Sequence, residues 1–451
     1  MERVSLFSLV LLSASLLLHA QTKTPLLAPT PPMGWNSWDS YGLTITEDQF
    51  KANTDWLNQH LKQYGWKYVV IDEGWYLQHP EKAATKGADQ GYTLDQYGRY
   101  IPAPNRFPSS VSGAGFKPLA DYVHSLGLRI GVHIIRGIPK QAVDKNLPIA
   151  GSKFHAADAA DKADTCAWNP DNYGIKDNAA GQAYYNSIAK LYAGWGLDFI
   201  KVDCISSPYK ADEIRMVSAG LKNSGRAIVL SLSPGPTPPS EASDVRKHAQ
   251  MWRISNDFWD IWKKQEGEEW TPQPLLDLFQ LLASWSPHIG PGHWPDADML
   301  PLGYIGPIPG WGKPRQSSFT SDEARTLLTL WSIARSPLVL GANLTKMDSA
   351  TESLLTNPEV IAVDQHSRDN KPVVQTSTTV IWTAKGAAGK QYVAVFNISD
   401  QPQQVSHSWK ELGLPKASYK VRDLWLKKDS GSASGLKVSL APHASVLYAV
   451  E

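Results

Sequence analysis

The feature that most constrains the fold of this 451-residue chain is a repeated segment order of amphipathic helix, glycine and short apolar strand. In the clearest copy Thr46 and Gln49 form a capping box, Gly65 ends the helix, and a buried strand leads to Asp72. Later copies predict strands at residues 128–134, 199–203 and 227–233. Apolar strands that alternate with amphipathic helices form right-handed parallel βα units.

Further strands are expected at residues 33–38, 251–255 and 337–344, with another before Asp298, which brings the total to about eight. This number favours a (β/α)8 TIM barrel over a doubly wound open sheet. Polar or aromatic groups also stand at successive strand ends: Trp38, Asp72, His133, Asp203, Ser233 and Arg253. In a barrel these ends meet at one mouth, where TIM-barrel chemistry takes place, so we predict an α/β fold with a barrel over residues 31–345.

The pattern changes after residue 346. Short β-rich runs at 379–382, 392–398 and 445–450 alternate with segments rich in Gly, Ser, Pro and Asp, such as 429–432, which we interpret as a turn. This alternation is typical of hairpins, and it predicts a C-terminal antiparallel β-sandwich over residues 346–451.

The first 20 residues have the pattern of a signal peptide. Arg3 precedes an apolar run from residue 6 to 18, and Ala20 provides a small residue at the expected cleavage point. The run is too short for a convincing membrane span, and a Pro-rich lead follows at 21–30. The protein is therefore expected to be secreted or periplasmic, where Cys166 and Cys204 more often pair than stay free.

Charge and composition restrict the partners. The formal net charge of +1 gives no electrostatic footprint for nucleic acid or an anionic membrane. The chain has 18 Trp and 17 Tyr, and such rings either stack on sugars or fill a large core. No His-x-His pair or cluster of His stands at the strand ends, which disfavours a metal-dependent hydrolase.

Two carboxylates are candidates for acid–base chemistry. Lys201 and Asp203 are two residues apart on a strand, so their side chains point the same way and the ammonium favours an ionised nucleophile. A structural ion pair is the alternative. On the loop after Arg253, Asp257 can act as general acid, since a neighbouring carboxylate favours its protonated state, and Asp260 competes for this role.

These residues belong to a set of motifs by which the chain resembles glycoside hydrolase family 27. The motifs are PMGWNSW at 32–38, IDEGW at 71–75, KVDC at 201–204, RISND at 253–257 and HWPDADML at 293–300. Each motif alone is modest, but five in this order are highly specific. The resemblance extends over nearly the whole mature chain.

The resemblance implies a retaining glycosidase with Asp203 as nucleophile and Asp257, rather than Asp260, as acid/base. It also implies that sugar-binding positions are held by Trp38, Asp72, Lys201, Arg253 and Asp298. In the family, the cysteine after the nucleophile is disulfide-bonded to one in the loop after the third strand, which Cys166 matches. No metal or organic cofactor is implied, and the expected partner is a galactosyl-terminated oligo- or polysaccharide.

Three departures from the family concern the sugar. Family α-galactosidases usually carry paired aspartates where this chain has Asp72 and Glu73, and the longer carboxylate favours β-L-arabinopyranose, which lacks carbon 6. Ser233 replaces a bulkier residue and leaves room for a 2-acetamido group, unless a neighbouring loop fills the gap. His133 replaces a family Tyr, either in an aglycone-binding wall or as a neutral loop residue.

We expect release of terminal α-linked D-galactose, the commonest family activity. Hydrolysis of β-L-arabinopyranosides or α-N-acetylgalactosaminides is the alternative within the family, with isomaltodextranase-like activity a minor option. A sugar-binding protein without catalysis is the alternative from another class, although both carboxylates are present.

Overall fold

The computed structural model describes residues 26–451 except 85–88, 265–266, 268–270 and 307–311. The predicted signal peptide at 1–20 lies outside the described residues, as do residues 21–25 of the Pro-rich lead. None of the helices in the described ranges combines the length and the apolar character needed to cross a membrane.

Eight parallel strands in these ranges form one sheet, in which each strand pairs with its neighbour in the chain. They are β1 Met33–Asn36, β2 Tyr68–Ile71, β3 Arg129–Ile135, β4 Phe199–Asp203, β5 Val229–Leu232, β6 Met251–Arg253, β7 Trp294–Asp296 and β8 Leu338–Leu340. Strand β8 pairs with β1. After β7, the Leu300 amide donates to the Val339 carbonyl at 2.7 Å, so the ring closes and the predicted barrel is confirmed.

Helices follow the strands on the outside of the barrel. They are α1 Glu47–His60, α2 Lys117–Ser125, α3 Ala179–Trp195, α4 Ala211–Asn223, α5 Ala242–His248, α6 Leu275–Trp285, α7 Ser321–Ala334, α8 Ser349–Leu355 and α9 Pro358–His366. The predicted capping box of α1 is present, with reciprocal hydrogen bonds between Thr46 and Gln49. Gly65 has φ +100°, a left-handed conformation that lets the chain turn from the end of this helical segment into β2.

The inward side chains change character along each barrel strand. At the amino ends they form an apolar floor that contains Tyr68, Val70, Phe199, Val229, Met251 and Trp294. Side chains alternate between faces, so positions two residues apart point to the same side. The next inward positions are polar, as Asp72 follows Val70, Lys201 follows Phe199 and Arg253 follows Met251. Polar groups are therefore gathered at the carboxyl ends of the strands.

The connection between β3 and α3 forms a small sheet over the barrel mouth. Its antiparallel strands are Ile138–Pro139, Ala160–Thr165 and Asn172–Ile175, and the short helices Lys140–Asp144 and Ala156–Ala159 lie between the first two. The expected disulfide is present, and Cys166 and Cys204 have Cα atoms 5.9 Å apart. The buried Arg136 adds hydrogen bonds to the Cys204 carbonyl at 2.7 Å and to Glu213 at 2.6 Å. This connection, called the bridging loop below, is thereby fixed to the end of β4.

The C-terminal domain consists of eight antiparallel strands, which confirms the predicted β-sandwich class. They are β9 Arg368–Gln375, β10 Thr379–Lys385, β11 Gln391–Asn397, β12 Gln403–Ser408, β13 Tyr419–Asp423, β14 Lys428–Ala433, β15 Gly435–Leu440 and β16 Ser445–Val450. Six form one sheet in the order β9-β10-β11-β16-β13-β14, and β12 pairs with β15. Alternate residues of β10 and β11 separate two cores: Trp382 and Phe396 join the barrel core, whereas Ile381 and Val395 join the core of the sandwich.

Two details of this region differ from the sequence-based expectation. Helices α8 and α9 occupy most of residues 349–366, so we infer that the boundary lies near residue 367 rather than 346. The segment 429–432, interpreted as a turn, lies inside β14. It is an exposed edge strand with a register shift that leaves Ser430 unpaired, and Gly431 has φ +79°. Polar residues are tolerated there because the strand faces solvent.

Arg106 fixes two loops beside the barrel mouth. It is buried, and its guanidinium donates to the carbonyls of Gly74 at 2.6 Å, Leu77 at 3.0 Å, Leu43 at 2.6 Å and Ile45 at 2.5 Å. A single planar group thus satisfies four carbonyl oxygens from the segments after β1 and β2.

We predict that Arg106→Leu lowers Tm by about 5 °C or more, because removal of the guanidinium leaves buried carbonyls without donors. Thermal unfolding followed by circular dichroism measures the effect. Arg215→Gln is the matched control: Arg215 is half exposed and pairs with Asp177, so its loss should change Tm by about 1 °C or less. Equal Tm values for the two variants would contradict the role assigned to Arg106.

Candidate active site

A cleft of about 870 Å³ opens at the carboxyl ends of the barrel strands. The side chains that line it from strand ends are Trp38, Asp72, Glu73, Lys201, Asp203, Ser233, Arg253 and Asp298. The structure therefore brings together seven of the eight residues predicted to bind substrate, together with both predicted catalytic carboxylates, since Asp257 also lines the cleft.

Asp203 is the last residue of β4, and only 8% of its surface is exposed. One oxygen, Oδ2, lies 3.0 Å from Nε2 of His133, and Oδ1 accepts the Cys204 amide at 2.8 Å. Burial pushes the pKa of Asp203 upward, but His133, Lys201 and the Cys204 amide outweigh burial, so the pKa is lowered. This carboxylate is kept ionised, the state that a nucleophile requires.

His133 does not form part of an aglycone-binding wall, and that expectation is corrected. Its side chain is 1% exposed and contributes no surface to the cleft. In the sheet His133 is the register partner of Lys201, two residues before the end of β3, so it points into the barrel behind Asp203. Burial lowers the pKa of His133, whereas Asp72 and Asp203 raise it, and the net shift is upward. His133 is therefore a positioning residue for Asp203.

Asp72 and Lys201 form a buried ion pair on the cleft floor. Lys201 Nζ lies 2.9 Å from Asp72 Oδ2, which also accepts from Asn36 Nδ2 at 2.7 Å. Sequence spacing suggested Asp203 as the partner of Lys201, but the lysine reaches past β3 to the carboxylate that follows β2, and it acts on Asp203 only through its charge. Burial raises the pKa of Asp72, but Lys201 and His133 lower it more strongly, so this carboxylate is ionised.

Glu73 projects into the cleft beside this pair. Its Oε1 accepts a hydrogen bond from Asn169 of the bridging loop at 2.5 Å. Burial, together with the charges of Asp203 and Asp72, raises the pKa of Glu73 to about 7, against the opposing effects of His133 and Asn169. The longer side chain predicted to intrude on the sugar site is thus buried and held in place by a hydrogen bond.

Arg253 lies between the carboxylates of Asp298 and Asp257, at the side of the cleft opposite to Asp72 and Glu73. Its Nη2 contacts Asp298 Oδ2 at 2.7 Å and Asp257 Oδ1 at 3.2 Å. Burial raises the pKa of Asp298 to about 7; Asp257 and Asp296 add to the shift, and Arg253 opposes it. Asp298 has φ +91°, a strained conformation for a residue with a side chain.

The structure separates Asp257 from its competitor Asp260. The Asp257 side chain is 56% exposed at the rim of the cleft. The Asp260 side chain is 1% exposed, pairs with Arg315 and accepts the Ser318 amide at 2.7 Å. Asp260 is therefore a structural ion-pair residue that does not line the cleft.

The wall after β5 is built from small residues, as Ser233 suggested. Ser233 is followed in the cleft lining by Pro234 and Gly235, and Gly235 is required because a Cβ there would lie 2.2 Å from the Ser255 carbonyl oxygen. On another side of the cleft, Trp38 packs against the cluster of Trp259 and Ile305. Within the described ranges, no group of three or more His, Cys, Asp or Glu side chains could hold a metal ion.

Several cleft residues were not anticipated from the sequence, among them Asp39, Trp168 and Asn169. Asp39 is buried, its Oδ2 has no hydrogen-bond partner in the described part of the chain, and burial raises its pKa well above the usual range. It follows Trp38 directly, so the motif could have marked it. Trp168 and Asn169 belong to the irregular bridging loop. No periodic pattern marks this loop, so neither residue could be identified from the sequence.

Comparison with known families agrees with this architecture. Residues 30–143 and 156–366 match the family described as alpha galactosidase A, and residues 376–450 match the alpha galactosidase C-terminal beta sandwich domain. The first match contains the barrel and the second lies in the antiparallel domain.

Two solved structures are similar over nearly their whole length. A family 27 β-L-arabinopyranosidase from Geobacillus stearothermophilus is 46% identical, with 94% of this chain and 97% of that chain covered at TM-score 0.87. A Bacillus halodurans protein assigned as an α-N-acetylgalactosaminidase is 40% identical, with coverage of 95% and 98% and TM-score 0.83.

Among curated proteins, an α-galactosidase from Cyamopsis tetragonoloba is 28% identical over 94% of this chain and 86% of its own length. The family match, the barrel with its cleft and the C-terminal sheet domain lead to one assignment. The chain belongs to glycoside hydrolase family 27.

Proposed function

We propose that this protein is a retaining exo-glycosidase that releases terminal β-L-arabinopyranose. The observation that carries the proposal is the buried Glu73 carboxylate in the cleft, next to Asp72 and tied to Asn169. The 46% identity to the Geobacillus β-L-arabinopyranosidase supports the same choice of sugar. β-L-Arabinopyranose thus replaces α-D-galactose, the sugar expected from the sequence, as our preferred glycone.

The proposed mechanism is a double displacement. Asp203 attacks the anomeric carbon while Asp257 gives its proton to the leaving oxygen, so that a glycosyl ester forms as the glycosidic bond breaks. Asp257, now ionised, then removes a proton from water, which attacks the same carbon and releases Asp203. For this sequence we expect the two carboxyl groups to lie about 5–5.5 Å apart in the reacting complex.

The argument for the glycone concerns carbon 6. β-L-Arabinopyranose has the ring stereochemistry of α-D-galactose but lacks the hydroxymethyl group. Glu73 is one methylene longer than the aspartate that the family α-galactosidases usually have there. Because Asn169 and burial restrict its movement, the extra methylene occupies volume that a hydroxymethyl group would need. Only the smaller pentose then fits without displacement of the carboxylate.

α-D-Galactose is the second candidate. It is favoured by the family description and by curated relatives such as the Cyamopsis α-galactosidase. A 2-acetamido sugar is favoured by the small wall at Ser233 to Gly235 and by the Bacillus halodurans similarity.

We also propose export, supported by the Cys166–Cys204 disulfide and the leader-like residues 1–20.

We predict that the wild type hydrolyses an aryl β-L-arabinopyranoside with a higher kcat/KM than the matching α-galactoside or α-N-acetylgalactosaminide. Glu73→Asp should raise the galactoside kcat/KM relative to the arabinopyranoside by about tenfold, the typical worth of one methylene. Steady-state kinetics on the three substrates measures both effects. A wild type that prefers galactoside, or a Glu73→Asp variant with unchanged preference, would reject this glycone.

For the nucleophile, we predict that Asp203→Asn lowers kcat/KM by at least about 10³-fold without loss of fold, because a neutral amide cannot form the glycosyl ester. A 2-deoxy-2-fluoro glycosyl fluoride should label the peptide that contains Asp203, as mass spectrometry can detect. Asn256→Ala, a change at another cleft residue, is the control that should stay active. Full activity of Asp203→Asn would refute the assignment, and a wild type inactive on all three glycones would support a binding protein.

A further prediction concerns the pH dependence of activity. Because His133 helps to lower the pKa of Asp203, His133→Phe should raise it, and the acid limb of kcat/KM should move to higher pH by about 1 unit. The ionised form of Asp203 is the active one, so activity is lost as pH falls through its pKa. Because this pKa is higher in the variant, the loss begins at a higher pH. His133→Gln keeps a donor without the charge and should shift less. An unmoved acid limb in both variants would contradict the positioning role.

A further inference from the structure

Trp168 is a large apolar side chain exposed inside the cleft. It is 49% exposed, whereas the other tryptophans in the cleft lining, Trp38 and Trp259, are partly buried and 3% exposed respectively. In the described part of the chain its ring has no aromatic, cationic or hydrogen-bond partner. Exposure of an indole ring to water is unfavourable, and such a ring in a cleft marks a binding surface.

The backbone on both sides of Trp168 is fixed. Two residues earlier, Cys166 is bonded to Cys204, the residue after Asp203. One residue later, Asn169 donates to Glu73 through its side-chain nitrogen and accepts the Asp171 amide at 3.1 Å. The exposed ring is therefore presented from a braced segment, so little conformational entropy is lost when a ligand packs on it.

Exposure in the cleft increases from floor to rim. On the floor, Asp72, Arg253 and Asp298 are 2%, 3% and 4% exposed. At the rim, the Asp257 side chain is 56% exposed and Trp168 is 49% exposed. In a pocket that takes a terminal sugar at its floor, the leaving oxygen faces the general acid and the rest of the substrate leaves through the rim. Trp168 is thus at the depth of the aglycone.

We propose that Trp168 is the platform of an aglycone subsite, where its indole face stacks on the pyranose ring that follows the scissile bond. This inference rests on the proposed glycosidase function. Aromatic faces stack on the apolar C–H face of a pyranose, as the amphipathic ring chemistry of tryptophan allows. The preferred substrate class is therefore an oligo- or polysaccharide with a sugar, rather than a small alcohol, next to the released residue.

A second cavity adjoins the cleft next to the segment that carries Trp168. Pro170 and Asp171 line both the cleft and an adjoining cavity of about 150 Å³. This cavity is also lined by Tyr92, whose hydroxyl interacts with Asp171, and by the positively charged side chain of Lys140. Polar groups are therefore available beside the cleft as well as inside it.

The test compares substrates that share a glycone and differ in aglycone. A glycosyl fluoride has no aglycone ring to contact Trp168, whereas a disaccharide with a pyranose aglycone does. We expect Trp168→Ala to lower kcat/KM on the disaccharide about tenfold, and to leave kcat/KM on the fluoride within about twofold. Trp168→Phe keeps a flat ring and should retain most of the disaccharide activity. Leu426→Ala, at an apolar residue that is 67% exposed outside the cleft, should change neither.

Two outcomes would overturn the proposal: unchanged disaccharide kinetics in Trp168→Ala, or an equal loss on disaccharide and fluoride, which would mean that Trp168 only supports the fold of the loop. The proposed glycone is tested separately by the wild type, on β-L-arabinopyranosyl fluoride against α-galactosyl fluoride. If the wild type prefers galactose, Trp168→Ala is compared on galactosyl fluoride and on a galactosyl disaccharide instead. A wrong glycone and a wrong role for Trp168 therefore give different results.

Discussion

The two-residue period of the barrel strands is the constraint on which the rest of this structure depends. Each strand must place apolar side chains inward at its amino end to fill the closed barrel, and the next inward positions of the same strands then emerge at the mouth. Val70 and Asp72 are such a pair, as are Phe199 and Lys201. A one-residue shift of register would turn the charged group outward and its apolar neighbour into the cleft. The same alternation of side chains along the strands therefore determines both the packing of the barrel and the charged groups at its mouth.

Charge in the cleft is arranged so that nearby carboxylates differ in protonation. Lys201 holds Asp72 ionised and His133 holds Asp203 ionised, both against the cost of burial. Glu73 and Asp298 are also buried, but their pKa values rise to about 7 because neighbouring carboxylates add to the effect of burial. This separation limits repulsion among the carboxylates, and it favours the charged form of Asp203, the nucleophile candidate.

The bridging loop connects the side of the cleft that holds Asp203 with the side that holds Glu73. Its disulfide ends next to Asp203, its Asn169 restrains Glu73, and its Trp168 forms part of the rim. Barrel folds vary their function through such βα loops while the strands stay constant. Changes of substrate among similar family 27 proteins are therefore expected to depend on this loop and on the residue after Asp72.

The sequence by itself determined the barrel, the sandwich and the residues at the strand ends, because helical and strand periodicities are local properties and the family motifs follow them in order. It could not decide contacts between strands. Only the tertiary structure joins Lys201 to Asp72, puts His133 behind Asp203 and buries Asp260 against Arg315. It alone brings Trp168 and Asn169 to the cleft, since an irregular loop carries no periodic signal and its course is set by the disulfide and by long-range hydrogen bonds.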